Sequence, residues 1–182
     1  MNSFNTLLTA AVTTATLSLA AGTASAATLL ALGADGQLFK IDSASQKVTA
    51  TMATNSPSPL RGIDVRPANG MLYALSNDHQ LHTLDLATGA ASKVASLNKQ
   101  LPGSGQAVID FNPVADKLRM LAADGTSFRV NVETGEVVVD GSVAYAAEGP
   151  YAGKSAKVVA GAYSNAYAGT QATALYTVDL AS

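Results

Sequence analysis

Apolar and polar positions alternate in short runs along most of this chain, and one such run returns. Gln80-Leu81-His82-Thr83-Leu84-Asp85 is followed by Leu86-Ala87-Thr88-Gly89. The run recurs as Gln37-Leu38-Phe39-Lys40-Ile41-Asp42, as Ser127-Phe128-Arg129-Val130-Asn131 with Thr134-Gly135 behind it, and as Leu175-Tyr176-Thr177-Val178-Asp179. Phe39/Ile41, His82/Leu84, Phe128/Val130 and Tyr176/Val178 fall on one face, with Lys40, Thr83, Arg129 and Thr177 on the other. A period of two predicts strands, not helices. One strand repeated along a chain predicts a repeat architecture.

The neighbouring runs fill out the unit. Thr28-Leu29-Leu30-Ala31-Leu32 leads through Gly33-Ala34-Asp35-Gly36 into the recurring strand. Asp-Gly between apolar runs predicts a hairpin with a two-residue type I′ turn. The same place reads Ser76-Asn77-Asp78-His79 and Ala122-Ala123-Asp124-Gly125 in the next units, and His is among the residues enriched at positive φ. A further strand follows at residues 47–53, 91–97 and 136–140. Gly62-Ile63-Asp64-Val65-Arg66-Pro67 matches Val108-Ile109-Asp110-Phe111-Asn112-Pro113, 46 residues on. Asp42, Asp85, Asn131 and Asp179 follow at steps of 43, 46 and 48. The unit is four short antiparallel strands in about 40–50 residues, the size of a propeller blade.

The fold expected over residues 27–182 is therefore all-β: a propeller-like array of four-stranded antiparallel blades. Phe39, Leu84, Val130 and Val178 are expected in the inter-sheet cores. Residues 158–163 read as the first strand of a fourth unit and 174–180 as a later one, truncated before its last strand. That strand count predicts an incomplete ring with Leu175, Tyr176 and Val178 poorly covered. An exposed apolar face of that kind predicts a mature chain that dimerises or aggregates.

Composition narrows the chemistry. The formal charge is −2 and charged residues are 13% of the chain, so no basic surface recommends nucleic acid or an anionic membrane. The absence of Cys removes disulfides, thiolate metal sites and a Cys nucleophile. Leu7 to Ala21 is a mostly apolar run that ends in Ala24-Ser25-Ala26, an A-x-A cleavage pattern, although no Lys or Arg precedes Lys40. Residues 1–26 are expected to be a signal peptide and the mature domain to be secreted or periplasmic, with no membrane insertion once the leader is removed.

Several stretches resemble a known family. They are the run from Gly62 to Leu75, Asp110-Phe111-Asn112-Pro113-Val114-Ala115-Asp116-Lys117-Leu118-Arg119, Val130-Asn131 with Thr134-Gly135, and Asp140-Gly141 with Ala144-Tyr145-Ala146. They are similar to an exported bacterial family, domain of unknown function 4394, over roughly residues 28 to 180. The resemblance implies an exported, propeller-like fold and no assigned activity or catalytic residues. Members of that family look longer, continuing past the strand at Leu175.

Candidate sites are few. Asp64 and Asp110 recur at one place in successive units, and converging carboxylates could hold Ca²⁺ through oxygen ligands. The competing reading makes them repeat determinants that bond neighbouring backbone N–H groups. No other cofactor is expected. His79 and His82, the only histidines, are not spaced as a metal pair, and Gly103-Ser104-Gly105 lacks the strand-to-helix elbow of a Ser nucleophile. Residues 141–157 form the one insertion large enough for a functional loop, with Tyr145, Glu148 and Tyr151 as its binding candidates. The favoured function is a binding or interaction module for a protein or small-molecule ligand. The alternative is a metal-assisted hydrolase or lactonase that uses Asp64 and Asp110.

Overall fold

A computed structural model describes residues 26–180; the expected leader lies outside them except for Ala26. Among the described residues every regular element is a strand, and no helix is long and apolar enough to cross a membrane. The strands form four antiparallel sheets taken in chain order. Sheet I contains β1 (Thr28–Leu32), β2 (Gln37–Asp42) and β3 (Lys47–Ala53). Sheet II contains β4 (Leu60–Val65), β5 (Leu72–Ser76), β6 (Gln80–Leu84) and β7 (Ala91–Ser96). Sheet III contains β8 (Val108–Asn112), β9 (Lys117–Leu121), β10 (Ser127–Val130) and β11 (Val137–Asp140), and sheet IV contains β12 (Val158–Tyr163) and β13 (Leu175–Asp179).

Within each sheet, every strand pairs with its neighbour in sequence, as hairpin connections dictate. The hairpin turns differ in type from the expected one. Gly36, His79 and Gly125 have φ of 79°, 59° and 85°, while the residue before each is not left-handed. The N–H of each donates three residues back, to Gly33, Ser76 and Ala122. These are four-residue hydrogen-bonded turns that end on one left-handed residue, so a single Gly or His suffices.

Register exposes a second difference. Ala31 faces Phe39, Ala74 faces His82 and Met120 faces Phe128 across their hairpins, so β2, β6 and β10 are equivalent as expected. Residues 175–179 do not belong to that set. β13 pairs directly with β12, and Ala162↔Tyr176 repeats Asp64↔Tyr73 and Asp110↔Arg119. Leu175-Tyr176-Thr177-Val178 is thus the counterpart of Leu72-Tyr73-Ala74-Leu75, the second strand of a unit. The shared Leu-x-x-x-Asp pattern misleads because both strands alternate with the same period. Asp179 correspondingly accepts from Lys157 N–H at 3.1 Å, where Asp85 accepts from the N–H groups of Ala87 and Thr88 in its own turn.

Adjacent sheets pack face to face through alternate residues. Between I and II, Leu38, Leu72, Ala74 and Leu84 are buried, with Leu30 and Met52 against them. The junction of II and III is the largest and includes Tyr73, Leu75, Ile109, Phe111, Met120 and Phe128. Tyr73 meets Phe111 edge to face at 5.2 Å. Between III and IV, Val108 and Leu121 pack with Ala156 and Val158, and Leu175 lies against them. Of the expected core set, Leu84 and Val130 are buried and Phe39 is partly so, but Val178 is 55% exposed. β1, β4, β8 and β12 lie successively side by side, and the described residues form no closed ring.

The far ends of the sheets are joined by glycines in the recurring Thr-Gly turns. A Cβ on Gly135, whose φ is 75°, would stand 2.0 Å from the carbonyl oxygen of Ser96 at the end of sheet II. Gly89 stands in the same relation to Ala53 of sheet I, at 2.5 Å. Gly70, with φ of 69°, has open space around it. Gly70→Ala should therefore cost about 1 kcal/mol, the left-handed backbone alone. Gly135→Ala should cost about 3 kcal/mol, because a backbone carbonyl cannot yield without parting two sheets. Urea denaturation of the two variants measures the difference, and equal losses would contradict this packing.

Candidate functional site

Sheets II, III and IV set their first strands, β4, β8 and β12, beside one another, and each of those strands is the edge of its own sheet. Its outward N–H groups have no ladder partner, and a buried, unpaired N–H is costly. Asp64 and Asp110 meet that need. Phe111 N–H on β8 donates to Asp64 Oδ2 on β4 at 2.7 Å. Tyr163 N–H on β12 donates to Asp110 Oδ1 on β8 at 2.9 Å. One carboxylate per unit thus holds the next sheet's first strand, and the equivalent place on β12 is Ala162.

Burial governs the protonation of both groups. Desolvation pushes Asp64 up to about 7, the Phe111 N–H opposes that shift, and the charge of Asp110 adds to it. Asp110 is raised for the same first reason, with the Tyr163 N–H opposing. Each of the two carboxylates thus has one oxygen engaged by backbone. Among the described residues no three His, Asp or Glu side chains gather as a metal-ion cluster.

Three arginines that no sequence motif singles out also tie neighbouring segments together. Arg61, 2% exposed, donates from Nε to Gly105 O at 2.9 Å, from Nη1 to Leu101 O at 2.9 Å and from Nη2 to Pro102 O at 2.8 Å. It gathers the linker between β7 and β8 around a guanidinium whose charge burial disfavours. A lone Arg beside Gly62 in an apolar strand was the available signal. A cleft of about 220 Å³ opens beside it, lined by Ile63, Ala107, Ile109 and Gly161 among others. Arg66, just past β4, reaches sheet III through Asp116 at 2.5 Å and Glu133 at 2.7 Å. Arg119 bridges Asp140, Ser127 and, at 3.2 Å, Tyr163 Oη on sheet IV.

The histidines occupy structural places. His82 is buried on the side of sheet II that faces sheet I, with Nε2 3.2 Å from Ser76 Oγ, which also contacts Asp78. Burial holds its pKa below the ordinary value. His79 is the left-handed turn residue.

The insertion at 141–157 lies apart from the carboxylates in sequence and carries its own order. Ala144 and Ser155 form an isolated bridge, and turns close at Gly149, Ala152 and Lys154. The Tyr145 and Tyr151 rings lie 5.2 Å apart, and Lys154 Nζ sits 4.8 Å from the centre of the Tyr151 ring. Both rings are half-buried and Glu148 is exposed. Lys154 is the member of this group that the sequence did not mark.

Residues 53–182 match the family described as Domain of unknown function (DUF4394), and the chain belongs to that family. No curated protein matches it. Solved structures that resemble it include the computationally designed Ika4 protein, at 15% identity and a TM-score of 0.43, over 83% of this chain and 85% of that one. Another is Kuenenia stuttgartiensis hydrazine synthase, at 17% identity and a TM-score of 0.43, over 85% of this chain but only 43% of that one.

The pH dependence follows from the carboxylates. The folded-state pKa of Asp64 lies above its unfolded value of 3.8, so its contribution to stability is complete below about pH 4 and is lost as pH rises through about 7. His82 works in the opposite sense, since burial depresses its folded-state pKa and its contribution is lost as pH falls from about 6.5 through that lower value. Asp64→Asn keeps an acceptor for Phe111 N–H and removes the charge. The difference in melting temperature, variant minus wild type, should rise by several degrees between pH 4 and pH 8. A flat difference would show that Asp64 is not titrating there.

Proposed function

We propose that this member of the family is an exported binding module, a propeller-type array of blades that displays residues 141–157 to a ligand. The observation that carries this reading is the Tyr145, Tyr151 and Lys154 group. It is an ordered pair of aromatic rings with a cation at 4.8 Å, on the longest connection between strands among the described residues. Half-buried Tyr rings offer area at low entropic cost, and loops on a rigid sheet scaffold are where recognition residues concentrate. Sheets I to IV, taken in chain order, are read as successive blades of an open array. Export rests on the apolar run before Ala24-Ser25-Ala26.

Asp64 and Asp110 belong to the scaffold in this reading, because each carboxylate already accepts a backbone N–H from the next sheet. The metal-assisted hydrolase remains the alternative, since Asp64 and Asp110 are close enough for the charge of one to raise the other. Calorimetric titration with Ca²⁺ and Zn²⁺ separates the two. The binding-module reading expects no saturable heat that depends on these carboxylates. Saturable binding abolished by Asp64→Asn and by Asp110→Asn would favour the hydrolase.

The loop is tested by thermal shift against a panel of short peptides and oligosaccharides. A probe that stabilises the wild type should lose its effect, by tenfold or more in affinity, in Tyr145→Ala/Tyr151→Ala. Stabilisation that survives this double change would remove the loop from the reading.

A further inference from the structure

In the junction of sheets I and II one residue departs from the repeat. Ala31↔Phe39, Ala74↔His82 and Met120↔Phe128 are equivalent pairs, so His82 holds the place of a phenylalanine in the units before and after it. Phe128 fills that place in the junction of II and III and is buried there. His82 is buried too, 2% exposed, beside Ala74 and two residues before Leu84 on the face that meets sheet I. A phenyl ring would fill the same space, so what the imidazole adds is a place for a proton. The hydrogen bonds fix which ring nitrogen takes it. Ser76 Oγ, fully buried, lies 3.1 Å from Gln80 O and 3.2 Å from His82 Nε2, and it also contacts Asp78 Oδ1. A hydroxyl has one hydrogen, and a carbonyl or a carboxylate can only accept it. The Ser76 hydrogen is therefore committed to one of those two, and toward the ring its oxygen is an acceptor. Neutral His82 accordingly carries its hydrogen on Nε2 and leaves Nδ1 bare. Nδ1 is buried and has no hydrogen-bond partner among the described residues. With Ser76 and His82 both buried, the pair is not open to a substrate.

We propose that His82 makes the junction of sheets I and II acid-sensitive: a proton taken up at Nδ1 frees sheet I from sheet II, while the junction of II with III stays closed. A second hydrogen on the ring creates a cation with an N–H that nothing accepts, in a junction built from Leu30, Leu38 and Met52 of sheet I and Leu72, Ala74 and Leu84 of sheet II. The charged groups that act on the ring are Asp78 in the adjoining turn and Lys93 across β6 and β7, and their effects oppose each other. Burial is the larger influence and disfavours the charged ring. Protonation is therefore favoured only once the junction opens, and acid draws the protein toward the open form. Leu38, fully buried, owes its burial to this junction, so release lets the ladder of sheet I open as a local unit. The junction of II and III answers acid in the other direction, because a lower pH favours the neutral form of Asp64 that burial prefers. None of this depends on the ligand loop.

Amide hydrogen exchange of the intact protein at about pH 7.5 and about pH 5.5, on either side of the ordinary histidine value, tests this. Each rate is compared with its intrinsic value at the same pH. In the wild type, protection in β2 and β3 should fall by roughly tenfold, the linkage of a single histidine whose charge is refused in the closed form. Protection in β9 and β10 should not fall. His82→Phe restores the residue of the neighbouring units, and His82→Gln keeps an N–H for Ser76 without a titrating ring. In both variants the fall in sheet I should vanish. Ring nitrogen shifts of His82 in the wild type at the higher pH should show the hydrogen on Nε2. Unchanged protection of sheet I in the wild type would overturn the proposal, and so would a hydrogen found on Nδ1. A fall that persists in both variants would belong to another group, and an equal fall in sheet III would be global unfolding; either result contradicts the proposal.

Discussion

A carboxylate on the first strand of one sheet accepts an N–H from the first strand of the next, and the arrangement of the sheets depends on that bond. First strands are edge strands, with half of their backbone groups turned away from their own sheet. Asp64 and Asp110 supply the missing acceptors to Phe111 and Tyr163. The cost is visible in the carboxylates, which burial pushes toward the protonated form. A group held at such cost is one whose removal would leave a worse defect, a buried N–H with no partner.

The apolar junctions carry most of the energy. Burying a side chain such as Phe111 or Leu75 contributes about 1.5–3 kcal/mol, and the junction of sheets II and III buries many of them. A hydrogen bond to a charged group contributes about 1.5–3 kcal/mol net, and one such bond joins sheets II and III and another sheets III and IV. Apolar packing is tolerant of small slides and rotations, whereas an N–H at 2.7 Å from one oxygen is not. Packing therefore supplies the attraction, while the latch fixes the position of one sheet on the next. The Thr-Gly turns set the spacing at the far end, where Gly135 and Gly89 leave no room for a side chain. The ion pairs of Arg66 with Asp116 and Glu133 join a largely buried guanidinium to carboxylates that solvent reaches and screens.

Strand identity was legible because a period of two and a recurring unit leave few alternatives. The place of Asp64 and Asp110 in successive units was legible too, along with the reading of such residues as partners of neighbouring N–H groups. What alternation could not convey was which strand of a unit a short apolar run represents. Residues 175–179 fit the pattern of β6 and lie in the place of β5, and only their pairing with β12 decides it. Long-range partners were equally hidden. Arg61 holds three carbonyls some forty residues away, and nothing local in the sequence specifies them. No motif marks Lys154, and only the turn at residue 151 places it over an aromatic ring.

The most direct test of the latch is amide hydrogen exchange read residue by residue at Phe111 and Tyr163. Both N–H groups point away from their own sheets, so without Asp64 and Asp110 they would exchange as exposed edge amides do. Strong protection at both is predicted in the wild type. Asp64→Ala should abolish it at Phe111 and spare Tyr163, and Asp110→Ala should do the reverse. Protection at Phe111 that survives the loss of Asp64 would contradict the account.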